Sequence, residues 1–225
     1  MVIEKIPTTT LRQQVYLQLR SLIQKAELLP GQTITLRQLA DSFGVSIAPV
    51  RDAVWQLASD RVLVVEDNKR VLVNSLSAEE FGELLELRIL LEGKAAIKAC
   101  LNPRPKPIET MQGLLTRMED SVSGNFREYI QANDEFHNAI YTHADSPVLL
   151  DLIVRFKYRV NPYIYLHAVI EHDLSAALEC HRQMLSSFVT GDAMTLVSAI
   201  KQDLEGAAAI ILPELRHRLP GVAKG

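Results

Sequence analysis

The spacing of apolar residues changes along this chain, and this constrains the fold more than any other sequence feature. Up to about residue 59, apolar side chains recur at the three- and four-residue intervals of helices. Residues 62–65 and 71–73 are β-branched runs separated by a turn-like segment, which is typical of a hairpin. Beyond residue 77 only the helical interval remains. The chain therefore has a mixed N-terminal part and a longer all-helical part.

The N-terminal part carries signals for three helices before the hairpin, at about 11–26, 36–43 and 47–59. Thr35 and Gln38 have the spacing of a capping box, and Gly44 ends the helix that they begin. Ser46 is expected to cap the third helix, which has Pro49 in its first turn, where the missing N–H costs little. Three helices followed by one small hairpin describe a winged helix-turn-helix, which we assign to residues 1–75.

The C-terminal part is predicted to be a six-helix all-α bundle over residues 78–220, so the fold class is mainly α. A bundle of this length can have its own core and a central cavity. Pro- and Gly-containing breaks separate the helices. The predicted helices span about 78–101, 107–122, 126–143, 147–168, 172–190 and 193–217.

The composition excludes several classes of protein. No apolar run is long enough to span a membrane, and the N-terminus lacks the apolar region of a secretory signal, so a cytoplasmic protein is expected. The two cysteines, Cys100 and Cys180, have no C-x-x-C partner, which argues against a disulfide scaffold or a cysteine-built zinc site. No spacing of nucleophile, base and orienting group stands out, so we predict no catalytic residues and no enzyme.

Charge is distributed unevenly. The chain has 24 basic and 27 acidic residues, yet residues 1–77 carry nine basic and seven acidic side chains. A helix-turn-helix places its second helix in the major groove, where its first turns reach the base edges. Arg51 can therefore bind a guanine or a phosphate. The alternatives are that Arg51 is a solvated surface charge, or that this part of the chain is a winged helix that binds protein. The residues predicted to contact DNA are Arg37, Ser46, Ile47, Ala48, Pro49, Arg51, Lys69 and Arg70.

Four residues of the bundle have spacings that suit a metal site. Asn133 and His137 are four apart, so they lie on one helix face. His181 and Asp203 are nearly equidistant from the break near residue 191, so antiparallel helices bring them level. Two imidazoles with oxygen donors suit zinc, nickel or manganese. The alternative is that these are core histidines and an exposed aspartate.

The segment from residue 29 to 54 resembles the winged helix-turn-helix of GntR-type bacterial regulators. The resemblance rests on the runs LPG, LRQLA and FGVSIAPVRDAV. It implies that Arg37 and Arg51 occupy DNA-contacting positions. Ile47 departs from the family, which has an arginine there, and we expect the isoleucine to contact a thymine methyl and alter operator preference. Arg61 and Arg70 stand where the family has glycines, and Arg70 is expected to add a phosphate or minor-groove contact.

The bundle resembles the FCD effector domain of the FadR-like branch, in its VanR-type subgroup. The runs that carry this resemblance include ELRILLE, NDEFH and CHR. Metal sites of such domains use Asp or Asn, His four residues later and two further His, so Asp203 replaces the last His. The resemblance implies a small carboxylate effector held by the metal and an arginine. Arg88 is the candidate unless it forms a surface ion pair with Glu92, and Arg159 and Tyr163 are weaker candidates.

The sequence thus predicts a ligand-responsive regulator. It is expected to be a homodimer that reads a two-fold-related double-stranded DNA operator, and to act as a repressor. One alternative is the same regulator with a metal-free effector pocket. The other alternative is a helical metalloenzyme, which would require more carboxylate ligands than the sequence of this bundle provides.

Overall fold

The computed structural model describes residues 10–25, 27–66, 70–122, 124–170 and 173–217. Within these ranges the chain forms nine α-helices and three short strands. They belong to two compact units, residues 1–75 and 76–225. The prediction of a mainly α fold is confirmed. None of the described helices combines the length and the apolar character that crossing a membrane requires.

The helices of the N-terminal unit begin and end where their capping residues lie. They are α1 (Leu11–Gln24), α2 (Leu36–Phe43) and α3 (Ile47–Ser59). At α2, the Thr35 hydroxyl accepts from the Gln38 N–H and the Gln38 side chain accepts from the Thr35 N–H, which is a complete capping box. Gly44 ends α2 with φ 65°, in the left-handed region that favours glycine. Helix α1 packs on α3, and its buried residues are Val15, Leu19 and Ile23.

The wing is a three-stranded antiparallel sheet rather than a simple hairpin. Strands β2 (Leu63–Val65) and β3 (Arg70–Val73) pair as predicted, and the turn residues 67–69 lie outside the described residues. The additional strand β1 (Thr33–Thr35) pairs with the other edge of β3. Three residues carry too short a pattern to identify a strand, and β1 exists because β3 offers it an open edge.

The C-terminal unit contains six helices. Ser77 and Glu80 form a capping box at the start of the first, and Gly191, with φ 77°, ends the fifth. The fourth helix extends two residues beyond its predicted end, and the fifth begins three residues later than predicted. The helices are α4 (Ala78–Leu101), α5 (Ile108–Ser121), α6 (Phe126–His143), α7 (Pro147–Ile170), α8 (Ser175–Thr190) and α9 (Ala193–His217).

The core of the bundle is apolar except for one polar region. A large cluster that includes Met111, Phe136, Met184 and Phe188 fills the space among α4, α5, α6, α8 and α9. Several polar side chains are also buried, and a buried polar group needs a partner. Six of them, on α4, α6, α7 and α8, form a polar region together with the polar side chains that they contact: Arg88, Glu92, His137, Lys157, Asn161 and His181.

Candidate functional site

The four predicted metal ligands lie together in the polar region of the bundle. His137 on α6, His181 on α8 and Asp203 on α9 offer ligand atoms that all lie within 4.8 Å of one another. The Nε2 atom of His137 is 3.3 Å from Oδ2 of Asp203. The Nε2 atom of His181 is 2.8 Å from Oδ1 of Asn133. Side chains from three helices therefore converge on one point.

The hydrogen bonds of the two histidines leave their Nε2 atoms free of protons when the rings are neutral. The hydroxyl of Tyr141 donates its proton to Glu92, so it can only accept from Nδ1 of His137, 3.0 Å away. The carbonyl of Ala177, 2.6 Å from Nδ1 of His181, also accepts only. Each neutral ring thus has its lone pair on Nε2, directed at an oxygen of Asp203 or Asn133. Imidazole nitrogens and carboxylate or amide oxygens are donor atoms that a divalent cation takes.

The surroundings lower the pKa of two of the candidate ligands, His181 and Asp203. Burial lowers the pKa of the His181 imidazole, although Asp203 acts in the opposite direction. Burial by itself raises the pKa of Asp203, but the neighbouring His181 and His137 outweigh it, and that pKa lies below its usual range. Neutral imidazole and ionised carboxylate are the forms that bind metal ions. The donor set of two nitrogens, one carboxylate and one amide oxygen therefore fits a divalent cation of borderline softness.

A cavity of about 30 Å³ lies against these residues. Its lining includes three of the candidate ligands, Asn133, His137 and Asp203, together with Arg88 and Lys157. Arg88 donates from Nε to Oε1 of Glu92 at 2.7 Å, and both residues are buried. The ion pair with Glu92, which the sequence left open as the alternative, is present, but it is buried and does not lie at the surface. Because Arg88 also lines the cavity, pairing with Glu92 and facing a ligand are compatible.

Two predicted effector contacts are not brought to this cavity. Arg159 lies 3.4 Å from the carboxylate of Glu80 and is absent from the described residues that line the cavity. Tyr163 packs edge-on against Phe81, and its hydroxyl accepts from the N–H of Leu76 at 2.7 Å. Both residues serve the packing of α7 against the start of the bundle.

The polar region also contains residues that the sequence did not single out for the site. Lys157 Nζ lies 2.9 Å from Oδ1 of Asp134, and the Asn161 amide donates to the same oxygen at 3.0 Å. Asp134 is thus held by α7 rather than by the histidines. Tyr141 and Glu92 connect Arg88 to His137. The sequence feature that could have identified these residues is the four-residue spacing of polar side chains on largely apolar helices, as with Lys157 and Asn161.

The predicted DNA-contacting residues that are described lie at the surface of the N-terminal unit. Ser46 occupies the N-cap position of α3, but its hydroxyl makes no capping hydrogen bond, so the predicted cap was wrong in that respect. Pro49 is half-buried, and Lys69 lies outside the described residues. Those that are exposed are Arg37, Ser46, Ile47, Ala48, Arg51 and Arg70.

Two family models match the chain. The model described as "Bacterial regulatory proteins, gntR family" matches residues 11–73, which contain α1–α3 and the sheet. The model described as "FCD domain" matches residues 83–206, which contain all four candidate metal ligands. The chain belongs to the GntR family and carries an FCD domain. This GntR protein is a DNA-binding transcriptional regulator and not an enzyme.

Individual proteins agree with the family assignment. The chain is 27% identical over 192 residues to the HTH-type transcriptional regulator McbR of Escherichia coli, covering 84% of this chain and 86% of McbR. It is 28% identical over 187 residues to the Uxu operon regulator of Haemophilus influenzae, covering 76% and 70%. The solved structure of E. coli McbR/YncC has a TM-score of 0.86 and 25% identity, covering 92% of this chain and 99% of that one.

Proposed function

We propose that this GntR regulator senses a small carboxylate through a divalent metal ion in its FCD domain. The observation that carries this proposal is the convergence of His137, His181 and Asp203, with Asn133 facing His181. A bound cation would act as a Lewis acid for a carboxylate oxygen in the adjoining cavity. Zinc, nickel and manganese are the candidates for these nitrogen and oxygen donors.

Arg88 is proposed to hold the other end of the same effector. Its Nε is engaged by Glu92, which fixes the guanidinium in place at the cavity wall. The remaining N–H groups of a guanidinium suit a carboxylate, which accepts two parallel hydrogen bonds. Lys157 lies in the same wall, but its ammonium is already paired with Asp134.

We further propose that the protein is a homodimer and that it represses transcription from a two-fold-related operator. The N-terminal unit would read DNA with Arg37, Arg51, Arg70 and the exposed start of α3. The effector would act by binding the DNA-competent and DNA-incompetent states with different affinity, as any allosteric coupling requires.

A metal-free effector pocket is the second candidate, and one contact favours it. Nε2 of His137 lies 3.3 Å from Asp203, so a protonated imidazole would satisfy the carboxylate without an ion. In that case Arg88 alone would supply the charge that binds an anionic effector.

Metal content separates the two candidates. We would measure it by elemental analysis of protein purified without chelator or metal-binding tag, comparing the wild type with His137→Ala/His181→Ala. His217→Ala is the control, because it removes an exposed imidazole at the end of α9, outside the candidate metal cluster. About one metal ion per chain in the wild type and in the control, lost in the double variant, supports the metal-dependent sensor. No metal in the wild type, even after incubation with zinc, nickel and manganese, supports the metal-free pocket.

A further inference from the structure

Trp55 is the single tryptophan of the chain, and it is exposed on α3. Trp55 is 57% exposed, whereas tryptophan residues of folded proteins are usually largely buried. The residues that attach α3 to the N-terminal unit are Val50, Ala53, Val54 and Leu57, all buried. The indole thus contributes little to the core of its own unit.

Trp55 shares the outward face of α3 with residues predicted to touch DNA. Around a helix, Trp55 lies about 20° from Ala48 and about 40° from Arg51. Ala48 and Arg51 are exposed, and Ile47, which begins the helix, is 48% accessible. The second helix of a helix-turn-helix turns this face toward the major groove. The exposed indole therefore belongs to the surface that a GntR regulator presents to DNA.

The distance along the helix decides which part of the DNA Trp55 meets. Trp55 follows Ile47 by eight residues, or about 12 Å of helix. The major groove is about 12 Å wide, so a helix whose first turn reaches the bases has its third turn at the groove wall. That wall consists of deoxyribose and phosphate.

We propose that Trp55 contacts the DNA backbone at the wall of the major groove, with its ring against deoxyribose and its Nε1–H donating to a phosphate oxygen. The indole N–H is a donor only, and phosphate oxygens are acceptors. The charge on this face is mixed, because the Asp52 carboxylate lies 3.7 Å from Nε of Arg51. A contact made by the uncharged indole does not depend on the balance between these two charges. This inference rests on DNA binding by the family and is independent of the proposed metal and effector.

A backbone contact made by an uncharged side chain has two measurable consequences. Trp55→Ala should weaken binding by a similar factor on every DNA sequence, since the backbone carries no base identity. It should leave the slope of log affinity against log salt unchanged, because no phosphate charge is neutralised by the indole. Arg51→Ala differs, since a lost base contact alters sequence preference and a lost phosphate contact reduces the slope.

The experiment uses the full chain and a mixed-sequence DNA duplex of about 30 base pairs at low salt. Because Trp55 is the single tryptophan, emission excited selectively from tryptophan reports on this position alone. We expect DNA to protect the indole from acrylamide quenching, in parallel with the anisotropy of a labelled duplex. Trp55→Ala should bind about tenfold more weakly, and Trp55→Phe, which keeps a ring but loses the N–H, should lie between.

Leu17→Ala is the matched control, because it removes an exposed apolar side chain from α1 of the same unit. Circular dichroism of both alanine variants and of Trp55→Phe checks that each is folded. The proposal would be overturned if the anisotropy of the duplex saturates without any change in acrylamide quenching of Trp55. It would also be overturned if Trp55→Ala binds the duplex with the affinity of the wild type. A Trp55→Ala variant that changes oligomeric state but not DNA affinity would also overturn it and assign the indole to a protein interface. If the wild type binds no duplex at all, DNA binding itself fails together with this inference.

Discussion

At the scale of single residues, Tyr141 has the most consequential position outside the ligand set. Its hydroxyl donates to Glu92 and lies 3.0 Å from Nδ1 of His137, so it connects the Arg88–Glu92 pair to a candidate metal ligand. A partner on the second ring nitrogen fixes the tautomer and orientation of a metal-binding histidine. Tyr141 is in this sense a positioning residue.

We predict that Tyr141→Phe lowers metal affinity by about 10- to 100-fold while the protein stays folded. The phenyl ring keeps the packing, but Nδ1 of His137 loses its acceptor and Glu92 loses a hydrogen bond. Competition against a chromophoric chelator measures the affinity. Tyr16→Phe, in the N-terminal unit, is the control and should bind metal like the wild type. Equal affinity in Tyr141→Phe and wild type would show that the hydroxyl does not orient His137.

At the scale of elements, the sharp turn between α2 and α3 depends on the backbone of Gly44. Its φ is 65°, and a Cβ added there would meet nothing within 4 Å. The cost of a side chain at this position is therefore conformational and not a steric clash.

Gly44→Ala should accordingly lower the free energy of unfolding by about 1–2 kcal/mol. Gly113→Ala provides the opposite control, since Gly113 is exposed inside α5 and has equally open space. It should raise the free energy of unfolding by about 0.5–1 kcal/mol, because alanine is the better helix former. Urea unfolding followed by circular dichroism compares the two. Similar effects of both substitutions would contradict a specific role for the left-handed turn.

At the scale of the whole molecule, the two units place the two recognition tasks in different parts of the chain. The residues predicted to contact DNA lie in the unit of residues 1–75, and the candidate metal ligands lie in the unit of residues 76–225. Ligand binding stabilises the elements that form the binding site. Any stabilisation of elements outside the site measures how strongly they are coupled to it.

We predict that adding metal to chelator-stripped protein slows hydrogen exchange mainly in α6, α8 and α9, which carry the four ligands. At a concentration of 100 times Kd, metal contributes about 2.7 kcal/mol to folding of the unit that binds it. Mass spectrometry of peptides from each helix locates the protection, and His137→Ala/His181→Ala should show none. Uniform protection that includes α1–α3 would contradict a local effect and indicate that the units respond together.

The sequence alone determined most of the local structure. Capping residues such as Thr35, and glycines such as Gly44 and Gly191, set helix ends through contacts within a few residues. The helical period placed Asn133 with His137, and the short connection after α8 placed His181 level with Asp203. Such features can be predicted from the sequence because the interactions that decide them act between residues that are close in the chain.

Tertiary structure alone decided what depends on distant neighbours. Strand β1 forms only because β3 offers an edge, and the Arg88–Glu92 pair is buried because other helices cover that face of α4. Tyr141 donates to Glu92 on α4, and Lys157 and Asn161 contact Asp134 on α6. These are contacts between helices, which spacing within one helix does not specify. Trp55 stayed exposed although apolar residues are usually buried. Burial is a property of the assembled surface, so the period of one helix assigns a side chain to a face and only packing decides what covers it.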